Sequence, residues 1–188
     1  SSSEELMDTL ELAIVAGFEQ LKSTVLPQLE VPKRPFPRLE MAKIKEKLTQ
    51  AGVPGEKEHD INPEEERKIC EIVKEETGHD FVFATNWHRD ARPFYHMRYA
   101  ERPEITKSFD LLYKGVEITT GAQREHRLDI LKAQAEEKGL SLDSIHDYLE
   151  FFRYGCPPHG GAGIGPGRIV MQILDLPTIK EATYLPRD

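Results

Sequence analysis

Cysteine is nearly absent. Cys70 and Cys156 are the only two in 188 residues, so no disulfide framework organises the fold, and a reducing, cytoplasmic setting is expected. Positive charge is also short: 25 Lys and Arg against 33 Asp and Glu leave a formal net charge of −8. This argues against a broadly basic polyanion-binding surface, but it leaves room for single arginines to meet phosphate. Uninterrupted runs of apolar or small residues, Leu12 to Phe18 among them, are far short of the ~20 residues that cross a bilayer. No membrane association is therefore expected, and no signal-peptide pattern opens the chain. The seven histidines and two cysteines show no zinc-ligand spacing. No Ser/His/Asp or Cys/His nucleophile motif is present, nor a dinucleotide fingerprint, nor a phosphate loop ending in Gly-Lys-Ser/Thr.

What is present is globular composition at the polar end, with 38% apolar and 31% charged residues, and the apolar residues fall in periodic stretches. Leu6, Leu10, Ile14, Phe18, Leu21 and Val25 recur at three and four and predict an amphipathic helix over 4–26, capped by Ser3 and stopped by Pro27. Pro27, Pro32, Pro35 and Pro37 force an extended or looped connection. A second helix is predicted at 40–51, ended by Gly52 and Pro54. A third is capped by Asn62, has Pro63 at its first position and stops near Gly78. The period then changes. Strands are predicted at 80–87 and 92–99, with a hairpin of 106–113 and 116–123 turning at Lys114-Gly115. Helices over 127–138 and 143–154 follow, then a glycine-rich strand at 160–165 and a helix at 166–175. The expectation is one α+β domain, an antiparallel sheet flanked by helices, with 1–79 mainly helical and 80–188 carrying the sheet.

Two constellations carry chemistry. Gly161, Gly163, Gly165 and Gly167 alternate in GGAGIGPGR. On a strand they share one face and leave it bare, which suits a flat ligand such as a purine ring. From the pattern alone, a glycine loop without a ligand reads equally well. Arg168 falls in the first turn of the next helix, where a phosphate could meet it. In the hairpin, a turn at Lys114-Gly115 pairs Leu112 with Glu117 and Asp110 with Thr119, so Asp110 and Glu117 become diagonal neighbours on one face. Two such carboxylates suit Mg²⁺ shared with a phosphate chain, although a random pair is more often simply solvated. Strict alternation sends Arg124 to the opposite face, so it joins these carboxylates only if a bulge intervenes. Gly121 and Thr119-Thr120 make a bulge plausible.

These residues resemble a known family. GAGIGPGRIVM is similar to motif 3 of the class II aminoacyl-tRNA synthetases, and RYGCPPHGG to its approach in the aspartate and asparagine enzymes. ARPFYHM, SFDLLYKGVEI and TGAQREH resemble consecutive signatures of the aspartyl group of archaeal and eukaryotic type, and LPTIKEATYLPRD resembles its closing segment. The resemblance runs in order over nearly the whole chain. It implies an ATP-dependent aspartate–tRNA ligase that forms aspartyl-adenylate and transfers aspartate to tRNA. It also implies a homodimer when full length. Asp110, Glu117 and Thr120 would hold Mg²⁺ on the ATP phosphates, and Arg124 would bind the substrate side-chain carboxylate. Arg168 would meet the γ-phosphate, and Gly163 and Gly165 would floor the adenine pocket. Phe94 and Tyr95 would be structural.

The chain departs from the family pattern in places. Motifs 1 and 2 and the anticodon-binding barrel have no counterpart, so a fragment inactive in aminoacylation is expected. Such a fragment would be poorly stable alone, or associated with itself or with the missing part. Pro166 and Gly167 replace an apolar and an acidic residue inside motif 3. REHRLDIL leans toward the asparaginyl group, which leaves an asparaginyl or non-discriminating relative open. A synthetase-like accessory or nucleotide-binding protein without aminoacylation activity is the reading from another class.

Overall fold

The computed structural model describes residues 2–53, 55 and 57–185. Pro54, expected to end the second helix, and the last three residues of the closing segment lie outside the described residues. The elements are α1 (Ser3–Thr24), β1 (Arg38–Glu40), α2 (Met41–Gln50), α3 (Pro63–Thr77), β2 (Phe81–Thr85), β3 (Ser108–Tyr113), β4 (Val116–Gln123), α4 (Leu128–Glu137), α5 (His146–Arg153), β5 (Gly160–Ile164) and α6 (Pro166–Ile173). The strands form one sheet in the order β1-β2-β3-β4-β5. The fold is α+β as expected, but the sheet is mixed. β1 runs parallel to β2, and every other pair is antiparallel. β1 lies in the proline-rich stretch, where no strand was expected.

Helix ends follow local chemistry. α1 is capped by Ser2, one residue before the expected Ser3. The Ser2 hydroxyl accepts from the Glu5 N–H, and the Glu5 carboxylate reaches back to the Ser2 N–H. Asn62 caps α3 in the same reciprocal way with Glu65, and Gly78 closes the helix in the left-handed conformation.

The sheet separates two cores. On its back face Phe81, Phe83, Phe109, Leu111, Tyr113 and Ile118 pack against Met7, Leu10, Ile14 and Phe18 of α1, with Ile169 and Ile173 of α6 beside them. On its front face Val82, Ala84 and Leu112 pack under Ile44 and Leu48 of α2 and Ile69 and Val73 of α3. α4 and α5 build a third, smaller cluster around Leu131, Leu149 and Phe152. On this face α3 also reaches β4, where Glu66 meets Glu117.

Gly121 shows how tight the back face is. A Cβ there would lie 2.4 Å from Phe109 Cζ and 2.9 Å from Ala162 Cβ. Gly121→Ala is therefore expected to destabilise the fold by about 1–3 kcal/mol through overpacking, read as a lower denaturant midpoint at unchanged slope.

Three expectations need correction. Residues 92–99 form no strand. They make only isolated bridges, His96 with Arg124 and Arg98 with Thr106, because Pro93 has no N–H to donate and His96 N–H turns back to the Pro93 carbonyl. The helix expected at 143–154 is a 3₁₀ turn, Leu142–Ile145, followed by α5. The glycine strand ends at Ile164, so Gly165 is the residue before α6 and not a strand position.

Candidate active site

The hairpin register decides what faces what. Leu112 pairs with Glu117 as expected, but Asp110 pairs with Thr120 rather than Thr119, because the register shifts between Leu111 and Leu112. Ile118 is the extra residue of this bulge. A bulge inverts the alternation beyond it, so Glu117, Thr120 and Ala122 stand on the same face as Asp110. Arg124, two residues further on, follows them to that face. The bulge lies nearer the turn than Thr119-Thr120, and its consequence is the one that brings Arg124 into the group.

β5 supplies the floor. Gly161 pairs with Ala122 and Gly163 with Thr120, which places both glycines on this front face. A Cβ at Gly163 would meet nothing within 4 Å, and one at Gly161 would meet only the Arg124 guanidinium, at 3.8 Å. On the opposite face of β5, Ala162 packs on the back core. The alternating glycines therefore do leave one face bare. Gly165 borders it differently: its N–H donates to the Ile118 carbonyl across 2.8 Å, and a Cβ there would sit 3.5 Å from Arg168 Cδ.

Asp110 and Glu117 each face an arginine. Arg92 holds Asp110 through both guanidinium nitrogens, Nη1 donating to Oδ1 at 3.0 Å, and also donates to Thr120 Oγ1 at 3.2 Å. The pair is buried, with side-chain exposures of 9% and 6%, and the guanidinium lies over the Trp87 ring, 3.9 Å from its centroid. Thr120 Oγ1 also contacts Asp110 Oδ1. Arg168 donates from Nη1 to the Glu117 carbonyl at 2.6 Å and to its Oε1 at 3.3 Å. Burial and the charge of Asp110 raise the Glu117 pKa, and Arg168 offsets this only in part. Glu66, which reaches the site from α3, is pushed up to about 7 by burial and by the charges of Glu117 and Asp110. Carboxylates that raise one another's pKa mark a place where a cation is electrostatically welcome. The oxygen set of Asp110, Glu117 and Thr120 fits a hard ion such as Mg²⁺.

Arg124 is held from two sides. Its guanidinium lies over the Tyr95 ring, 4.6 Å from the centroid, and its backbone N–H is held by the His159 carbonyl at 2.9 Å. Its Nη1 is buried and has no hydrogen-bond partner among the described residues. A buried guanidinium N–H left unpaired is costly unless a ligand completes it.

The structure thus gathers Asp110, Glu117, Thr120, Gly161, Gly163, Arg124 and Arg168 around one open face. Three members were missed in the sequence. Arg92 and Tyr95 sit in the 92–99 segment whose path was misread, and Glu66 is one of three consecutive glutamates in a helical pattern that singles none of them out. Tyr95, expected to be structural, carries the Arg124 guanidinium.

His96 lies behind this group. It is buried, and burial, then Arg124 and Arg92, lower its pKa to about 3. A histidine whose folded pKa is depressed supports the fold fully above its unfolded pKa of about 6.5 and loses that support as pH falls toward the folded value. Stability is expected to drop by up to about 1.4 kcal/mol per pH unit from this group between about pH 6 and 4. In His96→Gln that component should be missing, which denaturant titrations at several pH values will show.

The profile of the tRNA synthetases class II (D, K and N) matches residues 1–188. The chain belongs to this family. Among curated relatives it is 40% identical over 194 residues to the aspartate–tRNA(Asp) ligase of Pyrococcus furiosus, covering 100% of this chain and 44% of that protein. Among solved structures it is similar to an aspartyl-tRNA synthetase from Entamoeba histolytica, with TM-score 0.91, 32% identity and coverage of 100% of this chain and 41% of that one. An asparaginyl-tRNA synthetase of the same organism, in complex with asparaginyl-adenylate, matches with TM-score 0.88, 29% identity and coverage of 100% and 45%. The chain therefore spans less than half the length of these relatives. Among the described residues, no helix is long and apolar enough to cross a membrane.

Proposed function

We propose that this chain forms the motif 3 side of the active site of an ATP-dependent aspartate–tRNA ligase. The observation that carries the reading is the β4 bulge, which sets Asp110, Glu117, Thr120 and Arg124 on one side of a glycine floor with Arg168 at its edge. In the proposed reaction the aspartate α-carboxylate attacks the ATP α-phosphorus and pyrophosphate leaves. The aspartyl group then passes from the adenylate to a terminal ribose hydroxyl of tRNA. Both steps depend on positioning and charge neutralisation. Bound Mg²⁺ would draw charge from the phosphates, with Asp110, Glu117 and Thr120 as its protein oxygens. Arg168 is poised to exchange Glu117 for the γ-phosphate, and Gly163 leaves room for the adenine ring.

Arg124 favours aspartate over asparagine as substrate. A guanidinium only donates, so both of its outer nitrogens can be satisfied by a carboxylate, whereas an amide offers one acceptor and one opposing N–H₂. The likeness to an asparaginyl enzyme keeps an asparaginyl or non-discriminating specificity as the second reading. The wider reading is a cytoplasmic homodimer acting on tRNA, with complete aminoacylation requiring the catalytic elements that the longer relatives possess.

Calorimetric titration of the chain with ATP and Mg²⁺, then aspartate, tests this. Arg168→Ala should weaken ATP binding about tenfold, the worth of one charge-assisted hydrogen bond of about 1.5 kcal/mol at a half-exposed site. A folded chain that binds no nucleotide would overturn a preformed half-site and point to an accessory or interaction domain.

A further inference from the structure

A second cluster lies apart from this face. His59 comes from the loop before α3, and His88 and Asp90 from the turn after β2. One ligand atom from each of the three lies within 4.8 Å of the other two. The two imidazoles are nearly parallel, with ring centroids 3.6 Å apart and planes 16° apart. His88 Nδ1 stands 3.4 Å from Asp90 Oδ2, and the Glu58 carboxylate reaches within 4.0 Å of His59 Nε2.

The platform under the cluster is held from several sides. Arg89 N–H donates to the Glu104 carbonyl at 2.8 Å, and Thr106 N–H to the Trp87 carbonyl at 2.9 Å. Lys138 Nζ donates to the Arg89 and Asp90 carbonyls at 2.8 and 3.1 Å. The Arg89 guanidinium turns to Glu137, with Nη1 2.8 Å from its Oε1. His88 and Asp90 are therefore held by backbone bonds, the His88 Nδ1 accepts from the Asp90 N–H at 3.2 Å, and the His88 ring faces His59.

We propose that His59, His88 and Asp90 form a zinc-binding site with the remaining position open to water. Two imidazoles and one carboxylate are a borderline nitrogen–oxygen set, which selects Zn²⁺ over Mg²⁺ or Ca²⁺. The ligand atoms, within 4.8 Å of one another, must draw closer to hold an ion at about 2.0–2.2 Å, and His59, on the loop before α3, is the one placed to move. The ligands come from segments 29 residues apart, so no short histidine–cysteine spacing announces them. The ion would tie the loop before α3 to the 3₁₀ turn Arg89–Ala91, immediately before Arg92, and would so brace the arginine that holds Asp110.

The test uses metal alone, with neither nucleotide nor amino acid, so its outcome is separate from that of the ligase reading. The chain is titrated with Co²⁺ and followed by visible d–d absorption, then with Zn²⁺ in competition and by thermal midpoint. The expected result is one equivalent bound, displaced by Zn²⁺ and not by excess Mg²⁺, with a raised midpoint. His59→Ala and Asp90→Ala should each weaken binding by more than about tenfold, since losing even an outer-shell partner costs that much. Both residues are at the surface, so circular dichroism should stay unchanged. Cys156→Ser is the control for a separate nitrogen–sulfur pair, Cys156 Sγ and His159 Nδ1 at 3.5 Å, and should bind as wild type does. Absence of a Co²⁺ band, binding unaltered in both variants, or loss of binding in Cys156→Ser would each overturn the proposal.

Discussion

Replacing Arg124 by alanine is expected to weaken aspartate binding to the nucleotide-loaded protein by about 30- to 5,000-fold, the equivalent of the 2–5 kcal/mol lost when one partner of a buried charge pair is removed. The size follows from the environment. The guanidinium is clamped over Tyr95 and beside the bare Gly161, where little water reaches Nη1. In the absence of ligand that N–H carries an unmet hydrogen bond, so a carboxylate gains more here than it would on an exposed arginine. Arg124→Lys keeps the charge but loses the two-nitrogen fork, and it should recover only part of the loss. Calorimetry with aspartate and with asparagine separates the possibilities. If Arg124→Ala weakens aspartate alone, Arg124 is the specificity contact. If it weakens both equally, Arg124 binds a group that the two amino acids share. If neither changes, the assignment is wrong.

How far the site was legible in the sequence depends on whether a feature is local. The Asn62 cap, the Gly78 terminator and the turn at Lys114-Gly115 rest on a few neighbouring residues and were read correctly. The alternation of Gly161 and Gly163 is equally local, and it predicts a bare face that the structure shows. Register is not local in this way. A hairpin turn gives the pairing only until a bulge intervenes, and β3 cannot reveal whether Ile118 is paired or extruded. Asp110 was thus set against Thr119 and not Thr120, and Arg124 was on the face only conditionally. The 92–99 segment failed for another reason. Its alternating apolar residues mimic a strand, but Pro93 interrupts the donors and the chain crosses the sheet end with only isolated bridges. Arg92, which depends on that path to reach Asp110, could not be found without it. The pairing of Asp110 with Arg92 and of Glu117 with Arg168 adds a point of chemistry that the residue types alone conceal. Asp110 is paired with Arg92 and Glu117 in part with Arg168, so under the proposed function nucleotide entry would be an exchange of ion pairs and not a simple addition of charge.

That exchange makes arginine and carboxylate variants hard to read, because each removal strands a partner. Asp110→Ala, for example, would leave Arg92 buried against Trp87 with its charge unpaired and would cost stability on its own. Gly163 avoids the difficulty. Nothing lies within 4 Å of a Cβ at this position, and a β-branched residue suits a strand. Gly163→Val should therefore fold with unchanged or slightly higher stability. If the glycine floor receives the adenine ring, the same two methyl groups stand where the ring must lie. An overpacking cost of about 1–3 kcal/mol then weakens ATP binding by about 5- to 150-fold, while Arg124 and its pocket for the amino acid are left as they were. Gly121→Ala supplies the opposite pattern, with stability lost on the back face where Phe109 fills the space and the nucleotide face left untouched. Valine at Gly163 that leaves ATP affinity unchanged would mean that the purine lies elsewhere. The bare face would then serve only the close approach of another part of the protein, and the nucleotide reading of β5 would have to be given up.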